Sequence, residues 1–449
     1  MADLRAFLKE LQDANDIIHV EDEVSQHFEV ASILKTFDNG KVIVFDKVKD
    51  NPTPIVGGVC GTRNRIYRSL GTNEDDFYTC LGAAIRNPLK TQTVSDGPVL
   101  GHRDPPNLRS IPILTHYEKD AGSYITSGAV YAKSEEDHVE NVSIHRLQVL
   151  DDDHLAIRIV PRHLYRLCQM AKEKGHRTLD ISISIGLHPA ILLAASSPVG
   201  FGTSHYNVAN ILLKGELRLV KCPSVDAYVP SNAELAIEGR IRLDKNVLEG
   251  PFTDLTGTYD IQREQPIVDV VGIFHRENYV YQALLPAGSE HRLLMGMPQE
   301  IRVWEYVRAV LPTATAVNMT LGGCGWLHCV VSVEKFRDGD AKNVLMAIFA
   351  ADPSIKHAVV VDSDINANDM NEVEWALATR FRGDRGLLVI PNTRVSSLDP
   401  TADQELELGC KVGIDATRPL TKPKEKFELA KIRISSNVES ILKKIAGQA

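Results

Sequence analysis

Leu4, Phe7, Leu8 and Leu11 recur three or four positions apart and predict an amphipathic helix, with a strand at Ile17-Ile18-His19-Val20 after it. A second helix is expected over 29–37, then an apolar strand at Val42-Ile43-Val44-Phe45. Arg63, Arg65 and Arg68 follow Gly57-Gly58 and read as arginine-rich turns with a solvated face. Pro88, Pro98, Pro105, Pro106 and Pro112 mark an irregular connector. Beyond it, strands are expected over 124–132, 141–150, 155–160, 179–185, 217–221, 233–243 and 267–274, with a turn at Asp151-Asp152-Asp153-His154 and one helix over 161–174. After Pro298 the chain alternates: a helix from Ile301 to near Pro312, strands over 329–333, 357–361 and 387–390, helices over 343–350 and 373–380, and an amphipathic helix over 437–445 of the kind that docks on another subunit. The fold class that follows is mixed α/β (α+β). Residues 1–115 form an N-terminal α/β domain, 116–298 a central β-rich, barrel-like domain, and 299–449 a C-terminal α/β domain with a terminal helix.

A chain of 449 residues is too long for one core, which agrees with several domains. The net charge of −9 gives no electrostatic case for a nucleic-acid partner. No apolar run reaches the length of about 18 residues that a membrane span needs. Seven scattered cysteines fit a reducing cytoplasm, and Cys324 with Cys329 lacks the second pair of a zinc site. The glycines of Leu321-Gly322-Gly323-Cys324-Gly325 match neither a dinucleotide fingerprint nor a phosphate loop, and no nucleophile elbow occurs. Nicotinamide dehydrogenases, P-loop enzymes and common serine hydrolases are disfavoured.

The candidate chemistry lies in Glu249-Gly250-Pro251-Phe252-Thr253-Asp254, continuing to Leu255-Thr256-Gly257-Thr258-Tyr259-Asp260. Five positions separate Glu249 from Asp254, which parts them in a regular strand or helix. Gly250 and Pro251 predict a bent loop that brings both acids to one site, where unlike surroundings can make one an acid and the other a base. A polar turn with two solvated acids is the plain alternative.

Upstream, Asn141-Val142-Ser143-Ile144-His145-Arg146 completes a pattern. Together with Asp3-Leu4-Arg5-Ala6-Phe7-Leu8, Val220-Lys221-Cys222, Val361-Asp362-Ser363-Asp364-Ile365 and Trp375-Ala376-Leu377-Ala378-Thr379-Arg380, it makes the chain resemble the UbiD family of decarboxylases, which use prenylated FMN (prFMN). The whole sequence looks most similar to 2,5-furandicarboxylate decarboxylases. The resemblance implies a split-barrel flavin-binding domain in the centre and a C-terminal domain that oligomerises. It makes Arg146, Glu249 and Asp254 a catalytic triad, with Asp254 the proton donor and Glu249 with Arg146 the pair that orients it. Asn141, Ser143, Ile144, His145, Arg146, Arg158, His163 and Lys356 become cofactor contacts. Asn141 and His163 become ligands of Mn²⁺ or another divalent ion beside the cofactor phosphate, with K⁺ as a further ion. The family's third ligand is a glutamate, and the equivalent position here falls at His205. Either His205 ligates the ion or the site is rearranged, with Glu216 a distant substitute. Asn141 and Arg146 are an odd number apart, so a bulge or strong twist is required if both are to face one cofactor.

The implied reaction is reversible, non-oxidative decarboxylation of an aromatic or heteroaromatic acid, with 2,5-furandicarboxylate to 2-furoate plus CO₂ as the best match. The flavin takes up the charge, and the protein supplies orientation and a proton. His291 and Arg292, in the loop Leu285 to Arg292, are expected to hold a second anionic group of the substrate. Alternatives are a related decarboxylase of a pyrrole, phenolic or acrylic acid, a flavin-binding assembly factor, or a metal-dependent hydrolase built on Asn141, His163 and His205. A flavin prenyltransferase as cofactor supplier, a homo-oligomer of two or more subunits, no nucleic-acid or membrane partner and a cytoplasmic location complete the expectations.

Overall fold

The computed structural model describes residues 3–134, 139–403, 405–430, 432–433 and 435–446. The first helix, Leu4–Asp13, buries the predicted stripe of Leu4, Phe7 and Leu11, and the Asp3 carboxylate caps it by accepting the Ala6 N–H at 2.8 Å. The N-terminal sheet runs in the order Ile17–Val24, Val42–Val48, Ile55–Gly57, Tyr281–Ala283, so its last strand arrives from far along the chain. The arginine-rich turns are instead a helix, Arg63–Leu70, capped by Thr62. Its arginines tie parts of the fold together. Arg63 pairs with the wholly buried Glu300, Arg65 pairs with Asp16 at 3.1 Å, and Arg68 donates to the Glu10 carbonyl at 2.9 Å.

The centre is an antiparallel sheet. Its order is Tyr124–Ile125, Leu147–Val149, His154–Ile157, Arg263–His275, Leu235–Glu249, Thr178–Ile185, Ala129–Lys133, Glu140–Ile144, with His102–Asp104 added beside Arg263–His275. Glu140–Ile144 closes one end of this order and Leu147–Val149 lies next to the other end, yet only His145 and Arg146 join them. A link that short spans roughly 10 Å, so the two ends meet and the sheet curls into a half-barrel. The Arg158 N–H donates to the Arg146 carbonyl at 3.2 Å and pins the corner. The single strand expected over 141–150 is therefore broken at His145–Arg146. That break, and no bulge, resolves the odd spacing of Asn141 and Arg146. The two longest strands, Leu235–Glu249 and Arg263–His275, form a hairpin whose excursion carries the small ribbon Phe252–Thr253 with Tyr259–Asp260.

Two helices against the half-barrel, Pro189–Ala195 and His205–Leu212, escape sequence reading. Pro189–Ala195 is buried on every side, so it shows no apolar stripe. The helix expected to open at Ile301 begins at Ser289 and runs through Pro298 to Val310, because burial of Met297, Gln299, Glu300 and Ile301 on both sides of the proline overrides its helix-breaking tendency. The Tyr78 ring stacks on Trp304 of this helix at 4.5 Å, and its hydroxyl donates to the Val317 carbonyl at 2.6 Å. The Glu290 carboxylate, in the helix's first turn, accepts the Gly58 and Cys60 N–H groups at 3.0 and 2.7 Å. These contacts join the N-terminal domain to the rest.

The C-terminal sheet has the order Ala314–Met319, His328–Val333, His357–Asp362, Leu408–Asp415, Leu387–Arg394, flanked by helices Asp340–Ala351 and Met370–Thr379. The terminal helix Ser436–Ala446 leaves Val438, Ile441, Leu442 and Ile445 exposed. Among the described residues no helix is long and apolar enough to cross a membrane.

Candidate active site

Arg146, on the corner that joins the sheet's two ends, meets the acids of the long hairpin. Its Nε and Nη2 donate to Glu249 Oε1 and Oε2 at 2.9 and 2.8 Å, a bidentate pair. Nη1 donates to Asp254 Oδ2 at 2.5 Å. Nη2 also donates to Asp260 Oδ2 at 3.1 Å. A guanidinium has five N–H donors, so one on Nη1, beside Asp254, has no partner among the described residues. The Phe252 ring lies 4.9 Å from the guanidinium carbon. Burial opposes the charge on Arg146, but the Glu249 hydrogen bonds and the surrounding carboxylates outweigh it and hold its pKa above the ordinary arginine value. Glu249 is wholly buried while the Asp254 side chain is 19% exposed, so Asp254 is the acid a small molecule can reach.

The Gly250–Pro251 peptide is cis, and Gly250 has φ +96°, a left-handed value that favours glycine. Neighbouring segments hold this loop in place. Gln148 Oε1 accepts the Gly250 N–H at 3.1 Å, and Asp120 Oδ1 accepts the Thr253 N–H at 2.8 Å. Asp254 Oδ1 accepts the Leu255 N–H at 2.6 Å. Asp120, Gln148 and Asp260 were not singled out from the sequence. Asp260 reaches the site only because the ribbon folds back and sets it opposite Phe252. For Asp120 and Gln148, which act through backbone amides, no sequence signal exists.

The strand carrying Asn141 holds a directed relay. His145 Nδ1 lies 2.8 Å from the Arg158 carbonyl and must donate to it, so Nε2 accepts the Ser143 hydroxyl at 2.8 Å. Ser143 Oγ in turn accepts from Asn141 Nδ2 at 2.8 Å. Burial pushes the His145 pKa down to about 4, which agrees with the neutral ring that the relay needs. The relay therefore sets the amide of Asn141 with Oδ1, a hard donor, free of partners among the described residues. His163 opens the helix His163–Glu173, and burial with Arg162 alongside lowers its pKa, leaving a neutral imidazole. The His163 and His205 ring centroids are 6.2 Å apart. His205 Nδ1 accepts the Val142 N–H at 3.3 Å. An oxygen and a neutral nitrogen suit a divalent ion such as Mn²⁺, and Asn141 with His163 offers that pair.

Arg158 is partly buried, and Asp260 stands 4.0 Å from it. Burial, with Arg263 and Arg146 adjacent, lowers its pKa. A further anion on this side would therefore be welcome, and a flavin phosphate fits that need. The Lys356 ammonium donates to Asp399 Oδ1 at 3.0 Å and Thr401 Oγ1 at 2.5 Å.

His291 and Arg292, expected on a loop, lie in the first turn of Ser289–Val310. His291 Nδ1 accepts the Ala287 N–H at 3.2 Å, and burial lowers its pKa against the pull of the nearby Asp254. Arg292 Nη1 donates to the Leu321 carbonyl at 3.2 Å, whereas its buried Nε has no acceptor. No carboxylate pairs with it among the described residues. A side chain at Gly257 would stand 3.8 Å from its Nη2, so Arg292 flanks the turn that carries Asp254.

This arrangement can hold a carboxylate at Arg146, a second anion at Arg292, and a proton at Asp254. The chain as a whole is similar to known proteins. Three domains of the 3-octaprenyl-4-hydroxybenzoate carboxy-lyase family match in succession: the N-terminal domain at residues 8–85, the Rift-related domain at 90–289 and the C-terminal domain at 292–416. The anhydromevalonate phosphate decarboxylase of Methanothermobacter thermautotrophicus is 44% identical over 95% of this chain and 99% of the relative. That of Methanocaldococcus jannaschii is 43% identical over 92% of this chain and 96% of the relative. Among solved structures, the UbiD-class enzyme HmfF from Pelotomaculum thermopropionicum in complex with FMN superposes with a TM-score of 0.95 at 37% identity, covering 100% of both chains. An evolved dimeric form of HmfF in complex with prFMN gives 0.90 at 36% identity, covering 97% of this chain and 99% of that one. The chain belongs to the UbiD family and is a carboxy-lyase.

Proposed function

We propose that this protein is a prFMN-dependent decarboxylase of an unsaturated acid that carries a second anionic group, with anhydromevalonate phosphate the first substrate and 2,5-furandicarboxylate the second. The observation that carries the reading is Arg292, a partly buried cation beside the turn that bears Asp254, with no carboxylate partner among the described residues. Both substrates present two anions. The ordering follows the higher identity to decarboxylases named for anhydromevalonate phosphate.

Arg292 binds the distal phosphate or carboxylate, with the neutral His291 beside it. The free Nη1–H of Arg146 meets the carboxylate that is lost. The bond between that carboxylate and its sp² carbon breaks and CO₂ departs, and protonated Asp254 delivers its proton to the same carbon. The prFMN, when bound, supplies the electron sink. Arg158, Ser143 and the 144–146 corner would contact it. Asn141 and His163 would hold the divalent ion, and the phosphate would complete the shell. A homo-oligomer and a prenyltransferase supplier belong to the same reading.

Holoenzyme co-expressed with a flavin prenyltransferase is expected to release CO₂ from anhydromevalonate phosphate. Turnover of the furan diacid alone would reverse the two substrates, and a prFMN-loaded enzyme inert toward every two-anion acid would sink the proposal. For the metal, His163→Ala is expected to leave less than about a tenth of the wild-type Mn²⁺ content by elemental analysis, since loss of a ligand from a weak set is severe, while His205→Gln keeps about half or more. Equal loss in both variants would make His205 a ligand.

A further inference from the structure

A guanidinium offers a carboxylate two bidentate seats, one side-on through Nε and Nη2 and one end-on through Nη1 and Nη2. Glu249 fills the side-on seat of Arg146. The end-on seat is divided between two acids: Asp254 takes Nη1 at 2.5 Å and Asp260 takes Nη2 at 3.1 Å. Asp260 is anchored independently of Arg146. Its Oδ1 accepts from Arg263 Nη1 and from the Ile261 N–H at 3.0 Å, and Arg158 stands 4.0 Å from its Oδ2.

We infer that Asp260 is a positioning residue that occupies half of the end-on seat of Arg146, so that Arg146 holds Asp254 by a single hydrogen bond and Asp254 remains able to carry and give up a proton. The inference rests on the reading of Arg146, Glu249 and Asp254 above. Without Asp260, the free N–H on Nη2 would sit beside the one holding Asp254. A small rotation that exchanges the Leu255 N–H for Nη2 at Oδ1 would then let the Asp254 carboxylate chelate both nitrogens. Two-point pairing with a guanidinium favours the ionised acid, the form that has no proton to give. Asp254 faces Arg146 from the barrel corner and His291 from the long helix. Asp260 faces Arg146, Arg158 and Arg263, which together keep it ionised despite its burial. Among the described residues, Asp260 alone competes with Asp254 for the outer edge of Arg146.

The same arrangement explains why a fourth charged group belongs here at all. Glu249 alone would suffice to orient the guanidinium. A second acid on Nη2 adds nothing to orientation, but it sets how Asp254 can bind.

The test compares Asp260→Ala, which empties the seat, with Asp260→Asn, whose oxygen still accepts from Nη2. Both are prepared as prFMN holoenzyme and checked for flavin content and thermal midpoint. Asp260→Ala is expected to lower kcat at neutral pH about tenfold or more, with KM within about twofold, since proton transfer and not binding is impaired. The alkaline limb of its pH–rate profile should move down by about one pH unit, the direction that a tighter ion pair imposes on a group that must be protonated. Asp260→Asn should show a smaller shift and an intermediate kcat. If Asp260→Ala does not retain flavin, Arg263→Gln serves instead, because it loosens the anchor of Asp260 without touching Arg146, and a shift in the same direction is expected. An Asp260→Ala or Arg263→Gln holoenzyme with the wild-type pH profile would overturn the inference, as would equal losses in the Ala and Asn variants. An inactive wild-type holoenzyme would instead sink the decarboxylase reading and this inference with it.

Discussion

Asp254→Asn should abolish turnover while leaving the protein folded and loaded with flavin. Asparagine is isosteric, and its side-chain oxygen can still accept from Arg146 Nη1 or the Leu255 N–H, the two contacts that hold Asp254. What it cannot do is pass a carboxyl proton to carbon. Loss of a positioned acid typically costs on the order of 10²–10⁴ in rate, and kcat should fall by that much with KM little changed. Arg146→Ala is a poorer probe. It would strand Glu249, which is wholly buried, as an uncompensated charge, a loss of about 3–5 kcal/mol in stability for a buried pair. A folded, flavin-bearing Asp254→Asn enzyme that retains more than a tenth of wild-type kcat would remove Asp254 from the proton path.

Arg292→Ala should change which acids the enzyme accepts. A hydrogen bond between a charged donor and an anion contributes about 1.5–3 kcal/mol, so KM for a phosphate-bearing acid or a diacid should rise about 10- to 150-fold. For a mono-acid such as 2-furoate, which leaves Arg292 unused, the expected change is under about threefold. His291→Ala should act in the same direction but more weakly, because its ring is neutral and bonded to the Ala287 amide. Equal effects of Arg292→Ala on diacid and mono-acid would place the residue outside substrate recognition.

Much of the site was legible in the sequence because two local features forced it. Gly250 and Pro251 signalled a bend between Glu249 and Asp254, and the bend is there, with Gly250 at φ +96°. The segment from Asn141 to Arg146 was expected within one strand, and the structure splits it. Sequence offers no way to see that residues 145–146 turn a corner between opposite ends of one sheet, because that depends on pairings made by strands far away. Asp260 was hidden for the same reason: it meets Arg146 only when the ribbon folds back. Arg63, Arg65 and Arg68 looked solvated because their partners, Glu300 and Asp16 among them, lie at long separation. Helix Pro189–Ala195 was missed because a wholly buried helix has no polar face to reveal its period.

The N-terminal sheet bears on how the chain can be divided. Its outer strand, Tyr281–Ala283, pairs in parallel with Ile55–Gly57 and lies just before His291 and Arg292, and the Glu290 carboxylate between them is held by the Gly58 and Cys60 amides. A fragment cut at the first family boundary, after residue 85, would expose the backbone donors of that strand. It would also release the helix turn that presents His291 and Arg292. Three sequence modules succeed one another along this polypeptide, but as a recombination unit it is one piece: a shuffled N-terminal module would need the partner surface of the 281–291 segment to come with it.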